Sequence, residues 1–142
     1  YPDRTIQLHA GDAGELQLEG DPAKVHQAIL NLGSNACSHT EPQVPVELVL
    51  ARLDGECALS VVDHGAGIPQ SEAERIFLPF YRPDASRTRT GMSGAGLGLA
   101  VVKQIADQQG GTVAVKRTPG GGATFELRLP LRRPDAMERP MP

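Results

Sequence analysis

Two carboxamides four residues apart, Asn31 and Asn35, fall in the stretch 22–39, where Val25, Ile29, Leu32 and Ala36 recur at helical spacing. At about 100° per residue the two asparagines lie beside each other, roughly a quarter turn off that apolar stripe. Carboxamide oxygens are hard, neutral ligands, able to hold a divalent cation while leaving its charge available to phosphates. An asparagine pair in a helix can equally cap a backbone group and face solvent, and the spacing alone leaves both readings open.

A carboxylate is out of place in a different way. In Ala58-Leu59-Ser60-Val61-Val62-Asp63, alternation with period two sets Asp63 on the face of Leu59 and Val61, the face expected to be covered. An acid aimed at a core must meet hydrogen-bond donors, supplied by the protein or by a ligand. The following His64-Gly65-Ala66-Gly67-Ile68-Pro69 has glycines that let backbone approach a flat ligand. The alternative is that Asp63 only caps this turn.

Glycines at 94, 96 and 98, in Gly91-Met92-Ser93-Gly94-Ala95-Gly96-Leu97-Gly98-Leu99, lead into a stretch where Leu97, Val101 and Ile105 keep helical spacing. Unpaired amides and the positive dipole end of a helix start attract phosphate. No Gly-Lys-Ser/Thr follows, so this is not a P-loop, and no strand leads directly into it as a dinucleotide fingerprint requires. Residues 82–93, just before, are almost free of apolar side chains and carry Arg82, Arg87 and Arg89. That composition describes a mobile basic lid, closing when a polyanion supplies the countercharge.

The elements that must hold these groups are legible around them. Residues 5–9 and 15–19 alternate apolar and polar and read as a hairpin of half-buried strands. Asp21 and Pro22 open the first helix as N-cap and first helical residue, and Thr40-Glu41-Pro42 closes it. Strands are expected over 46–53 and 58–63 about the Asp54-Gly55 turn. Ser71 and Glu74 stand at capping-box spacing, so 71–76 is expected as a short helix, and Phe77-Leu78-Pro79-Phe80-Tyr81 as an aromatic anchor. The second long helix stops at Gly110-Gly111, and 112–116 and 123–129 form strands joined by Pro119-Gly120-Gly121-Gly122. The expected domain is 1–131, with 132–142 a flexible tail rich in proline and charge.

Composition narrows the function classes. The chain has 142 residues, enough to bury a core of its own, and a net charge of -3 with no basic run interleaved with aromatics, so nucleic acid is not an expected partner. Cys37 and Cys57 show no ligand spacing and the four histidines form no cluster, which points to a reducing compartment and no structural zinc. No apolar run approaches the ~20 residues of a membrane span, so a soluble domain, or a soluble piece of something larger, is expected; separately, the domain is expected to be cytoplasmic, without membrane contact of its own, and monomeric in isolation.

Four stretches taken together resemble a known set. DPAKVHQAILNLGSNA (21–36), DHGAGI (63–68), IFLPFYR (76–82) and GAGLGL (94–99) are similar, in order and separation, to the asparagine box, first glycine box, phenylalanine box and second glycine box of bacterial sensor histidine kinases, within the GHKL superfamily. The resemblance runs from about residue 5 to residue 131. It implies an α+β fold of Bergerat type: an α/β sandwich with a mixed, mostly antiparallel sheet, helices packed on one face, and a mobile ATP lid. It implies ATP and Mg²⁺ as ligands, with Asn35 and Asn31 on the metal and triphosphate. Asp63 then accepts the exocyclic amine of adenine, with Gly65, Gly67 and Ile68 against the base and Ser38, His39 and Tyr81 beside the nucleotide. Arg82, Arg87 and Arg89 take the place of phosphate-contacting lid cations, and Gly94, Gly96, Leu97, Gly98 and Leu99 that of the hinge and helix start behind the phosphates. In this scheme Asn31, Asn35, Arg82 and Arg87 are catalytic.

Departures from the family pattern bear on the activity. Ser38 stands where a basic residue is usual, His39 where an aromatic often follows, and Ala123 where a hydroxyl residue is common. Thr124 points to the opposite face and does not replace that hydroxyl. Gyrase-type, mismatch-repair and chaperone ATPases of this fold carry a water-activating glutamate at the position of Asn31. A carboxamide is no general base, so transfer to an acceptor is expected over hydrolysis. None of His9, His26, His39 or His64 lies in the family's phosphoacceptor setting. The acceptor is therefore expected on a separate helical dimerisation domain of a longer, membrane-anchored kinase, with a response regulator downstream. A non-catalytic ATP-sensing module and an anti-sigma-factor-type serine kinase are the alternatives.

Overall fold

The computed structural model describes residues 4–11, 16–81 and 98–132. Five strands make one sheet in the order β1-β2-β3-β5-β4: β1 (Ile6–His9), β2 (Val46–Leu53), β3 (Glu56–Val62), β4 (Thr112–Arg117) and β5 (Ala123–Pro130). The β1–β2 pair is parallel and the other three pairs are antiparallel. Helices α1 (Pro22–Ser38) and α2 (Gly98–Gln108) pack against each other and the sheet. This is the expected mixed sheet under a helical layer.

The core follows from two periodicities meeting. Along β5 burial alternates strictly, with Ala123, Phe125, Leu127 and Leu129 facing the helices. Val61 and Val46 join them from the neighbouring strands, and α1 answers with Ala28, Leu32, Ala36 and Cys37, α2 with Val102, Ile105 and Ala106. The buried stripe of α1 is centred on Ala28, Leu32 and Ala36, and Val25 is only partly covered. Removing any of the larger fully buried side chains by truncation costs about 2–5 kcal/mol.

The helix and turn signals fold as their chemistry dictates. Asp21 Oδ1 accepts from Ala23 N at 2.9 Å ahead of Pro22. Asp54 and Gly55 both have positive φ, 35° and 80°, which suits a two-residue hairpin turn. α2 ends in a Schellman arrangement: Gly110 has φ 76°, Gly111 N donates to Ala106 O at 2.8 Å and Gly110 N to Asp107 O at 3.3 Å.

Three expectations are corrected. The hairpin expected of 5–9 with 15–19 is not found among the described residues, 5–9 and 16–19. β1 instead pairs in parallel with β2, Ile6 opposite Val46, while Leu18 makes an isolated bridge to Leu131. Alternation marks a strand without naming its partner. Nor is β1 half-buried: it lies at the sheet edge, with Ile6 and Leu8 52% and 68% exposed. Finally, residues 71–76 form no α-helix but two 3₁₀ turns, Gln70–Glu72 and Arg75–Phe77, neither with a side-chain cap. Only a few residues separate Pro69 from the extended Leu78, too few for an α-helix to offset its nucleation. Within the aromatic anchor, Phe77 meets Phe125 edge-on at 6.1 Å and Tyr81 packs on the core. Phe80 does not: it is 68% exposed, with φ 64°.

Candidate functional site

Asp63 immediately follows β3, at the strand's C-terminal end, and is 3% exposed. Alternation aims its side chain at the helical face, as the sequence predicts, and the protein meets it with backbone amides. Oδ1 accepts from Ala123 N at 3.0 Å and from Gly65 N at 3.1 Å. Oδ2 accepts from no described residue. One oxygen thus locks the carboxylate's direction while the other remains for a donor, which a buried carboxylate requires.

The backbone around Asp63 is clamped on three sides. Asp63 N donates to Ala123 O at 2.9 Å, and the buried Thr118 hydroxyl donates to Asp63 O at 3.0 Å. Thr118 Oγ1 also lies 2.9 Å from Thr124 Oγ1, so Thr124 does turn away from Ala123, which is buried on the core side. A Cβ on Gly122, where φ is 110°, would overlap the Asp63 carbonyl. Gly67, with φ 80°, lies against the Gly122 backbone: a Cβ there would come within 3.1 Å of Gly122 O. On the far side, a Cβ on Gly65 would approach His39 O to 2.7 Å and Thr40 Cγ2 to 3.0 Å. Ile68 packs on the core from the same turn. His64 is exposed, its Nε2 3.7 Å from Glu47 Oε2.

The two asparagines are half-buried in the C-terminal half of α1. Asn31 Nδ2 donates to Gly98 O at 3.3 Å, tying α1 to the first residue of α2, so that Oδ1 is the atom of this side chain that could hold a cation. Asn35 O accepts from His39 N, the C-cap of α1, so Ser38 and His39 fall at the same end of the helix as the turn around Gly65. Leu99 packs on the core in the first turn of α2. Tyr81 donates to Glu72 Oε1 at 3.0 Å; burial, then the bond to Glu72 and its charge, pushes the phenol pKa up, so it stays protonated. Arg82, Arg87, Arg89, Gly94, Gly96 and Leu97 lie outside the described residues, as does the expected lid.

The sequence reading missed Thr118, Gly122 and Thr40. Thr118 carries a weak signal, a hydroxyl residue immediately before a Pro-Gly-Gly-Gly turn, but its contact with Asp63 spans 55 positions and leaves no local trace.

The residues suit a nucleotide and its metal. Oδ2 of Asp63, a carboxylate oxygen that accepts from no described residue, is an acceptor suited to an exocyclic amine. No cluster of three or more His, Cys, Asp or Glu able to hold a metal occurs among the described residues. Magnesium needs no such cage: it is commonly held by one or two protein oxygens, phosphates and waters, and Asn35 and Asn31 could offer two such oxygens.

A mixed sheet covered on one face by helices, with an inward carboxylate at a strand end and a carboxamide pair on the adjoining helix, defines an ATP-binding domain of the GHKL class. The chain belongs to the family described as histidine kinase-, DNA gyrase B-, and HSP90-like ATPase, which matches residues 20–133. Among its relatives is the sensor-like histidine kinase SenX3 of Mycobacterium tuberculosis, 36% identical over 125 residues, which cover 88% of this chain and 30% of that protein. The mycobacterial sensor histidine kinase MprB superposes with a TM-score of 0.78 at 30% identity, over 92% of this chain and 84% of that one. Full-length ShkA, solved in complex with AMPPNP, superposes with a TM-score of 0.76 at 30% identity, over 89% of this chain and 25% of that one. The chain spans under a third of the length of the curated relatives it matches. No described helix is long and apolar enough to cross a membrane.

Proposed function

We propose that this chain binds Mg-ATP and donates the γ-phosphoryl group to a histidine on a separate helical dimerisation and phosphoacceptor domain, for relay to a response regulator. Asp63 carries the reading: a buried carboxylate with one oxygen held by two amides and the other open to an amine. The turn that follows it rests against His39 and Thr40 at the end of α1, where His39 N bonds Asn35 O, and this favours adjoining seats for the base and the triphosphate. ShkA, similar over 89% of this chain, was solved in complex with AMPPNP, which supports nucleotide binding by this chain.

The work of these residues is positioning and charge balance. Asp63 selects the base by accepting its amine, and Gly65, Gly67 and Ile68 bring backbone and an apolar side chain against the ring. Asn35 and Asn31 hold the magnesium, which offsets negative charge on the transferring group. Arg82, Arg87 and Arg89 supply further countercharge, and Gly94, Gly96, Leu97, Gly98 and Leu99 contact the phosphates. Asn31 cannot take a proton from water, so hydrolysis is not favoured and the nucleophile is an imidazole from another domain attacking in line. The domain works in the cytoplasm as part of a longer, membrane-anchored sensor.

A second reading, a nucleotide-sensing module without transferase activity, draws on Ala123, a buried methyl where a hydroxyl is common in the family. Mixing the chain with labelled ATP and a separately made phosphoacceptor-helix dimer separates the two. Acid-labile label on the acceptor histidine is the expected result; tight ATP binding with no label transferred is the outcome that establishes the sensing module instead.

A further inference from the structure

Arg4 reaches across the fold to the same turn that aims Asp63. It precedes β1, where Thr5 O accepts from Val46 N at 3.1 Å, and its guanidinium leaves that strand for the end of α1. Nη1 donates to Thr40 O at 3.1 Å, and Nη2 to Thr40 Oγ1. The Thr40 hydroxyl spends its own hydrogen on Ala36 O, at 2.9 Å, closing the last turn of the helix. A planar fork that takes both a carbonyl and a hydroxyl of one residue fixes that residue's orientation as a single ammonium does not. The charge also lies at the C-terminal, negative end of the α1 dipole, where a cation is favourable. Its Nε is buried without a hydrogen-bond partner among the described residues, where the side chain's hydrogen bonds are the two to Thr40.

Thr40 and His39 form the wall against which Gly65 rests, with so little clearance that a Cβ on Gly65 would come within 2.7 Å of His39 O and 3.0 Å of Thr40 Cγ2. Gly65 N in turn holds Asp63 Oδ1. Arg4, Thr40, Gly65 and Asp63 therefore make one continuous set of contacts from the start of the edge strand to the base-reading carboxylate. Close-packed segments of this kind pass displacement on, because nothing between them yields.

We propose that Arg4 is a positioning residue for the nucleotide site, setting how firmly Asp63 discriminates the base and coupling the order of the β1 edge to nucleotide occupancy. The inference rests on the reading of Asp63 as the amine acceptor. Coupling is reciprocal, so a clamp that favours nucleotide binding must itself be steadied by nucleotide.

The test compares the wild-type chain with Arg4→Ala and Thr40→Val, measuring ADP and IDP affinity by calorimetry, thermal midpoint, and amide exchange with and without ADP. IDP has a carbonyl in place of the exocyclic amine and a hydrogen on N1, so the ADP-to-IDP ratio reads the contacts to the base edge that Asp63 faces. Expected for both variants is a loss of ADP affinity of about fivefold, the lower range of coupling between sites. The ADP-to-IDP ratio falls in proportion. Exchange at residues 6–9 slows on adding ADP in the wild type and does not in Arg4→Ala. Full ADP affinity in variants that remain folded overturns the proposal, and so does weaker ADP binding with an unchanged ratio, which is what general loosening produces. A wild-type chain that binds ADP no better than IDP overturns the reading of Asp63 instead, before either variant is considered.

Discussion

Asp63 and Ala123 hold each other twice, in opposite directions: Asp63 N donates to Ala123 O at 2.9 Å, and Ala123 N donates to Asp63 Oδ1 at 3.0 Å. The first bond continues the pairing of β3 with β5; in the second, a side-chain oxygen takes the place of Asp63 O, which would otherwise accept the reciprocal bond of the same pair. The sheet itself therefore fixes the carboxylate, and the direction of Oδ2 is set before any ligand arrives. Preorganisation of this kind lowers the cost of binding.

Asp63→Asn keeps the shape and can keep both amide bonds on its remaining oxygen, but it turns a donor toward the amine of adenine. Two donors then face each other in a closed turn. The expected outcome is a native fold by circular dichroism and an ADP affinity lower by on the order of a hundredfold, as loss of a charged hydrogen bond worth roughly 1.5–3 kcal/mol implies. Calorimetry on the purified variant checks it.

Glu126 gives a pH dependence whose sign can be worked out. Burial raises its pKa, but hydrogen bonds and charge from Arg128 and Lys116 together outweigh burial and hold it below the usual carboxylate value. Arg128 Nε stands 2.6 Å from one oxygen and Lys116 Nζ 3.3 Å from the other. A lowered folded-state pKa means stability that is present above the unfolded value, about 4.3, and lost as pH falls through the folded one. Glu126→Gln is therefore less stable than wild type at pH 7, and the gap closes as the pH falls into the acid range. Urea unfolding across that range measures the difference directly.

Much of this was legible in the chain because the signals were local. Asp21 and Pro22, Gly110 and Gly111, and the Asp54-Gly55 turn each act within a few residues, and each folds as its own backbone chemistry requires. The inward aim of Asp63 was legible too, since alternation needs only its neighbours. What stayed hidden depends on distance along the chain. The sequence of residues 5–9 does not say that β1 joins β2 in parallel, 40 positions on from Ile6 to Val46. Nothing near Thr118 announces its bond to Asp63, nor anything near Arg4 its grip on Thr40. The failed helix at 71–76 is a different case: the cap spacing was present, but the segment was too short to use it.

Gly33 offers a stabilising change that leaves the site alone. It lies inside α1 with ordinary helical backbone, and a Cβ there meets nothing within 4 Å. Gly33→Ala is expected to raise stability by about 0.5–1 kcal/mol, through lower chain entropy in the unfolded state and better helix propensity. The thermal midpoint rises by a few degrees and ADP affinity is unchanged. A fall in ADP affinity would mean that α1 must flex at this glycine to admit nucleotide.

The metal reading of α1 is tested by removing the ion rather than the protein. Asn31 already spends an amide hydrogen on Gly98 O at 3.3 Å, so its oxygen is oriented by a contact that exists without ligand, while among the described residues Asn35 is placed through its position in the last turns of the helix. If both oxygens face one magnesium, then chelating it should weaken ATP binding in the wild type and have little further effect in Asn35→Ala. The double comparison matters because Asn35→Ala alone lowers affinity whether the side chain touches metal or phosphate. A loss on chelation that is the same size in both proteins assigns the magnesium to other groups and leaves Asn35 on the phosphates. Non-additivity, with the variant nearly blind to chelation, is the expected signature of a shared ion.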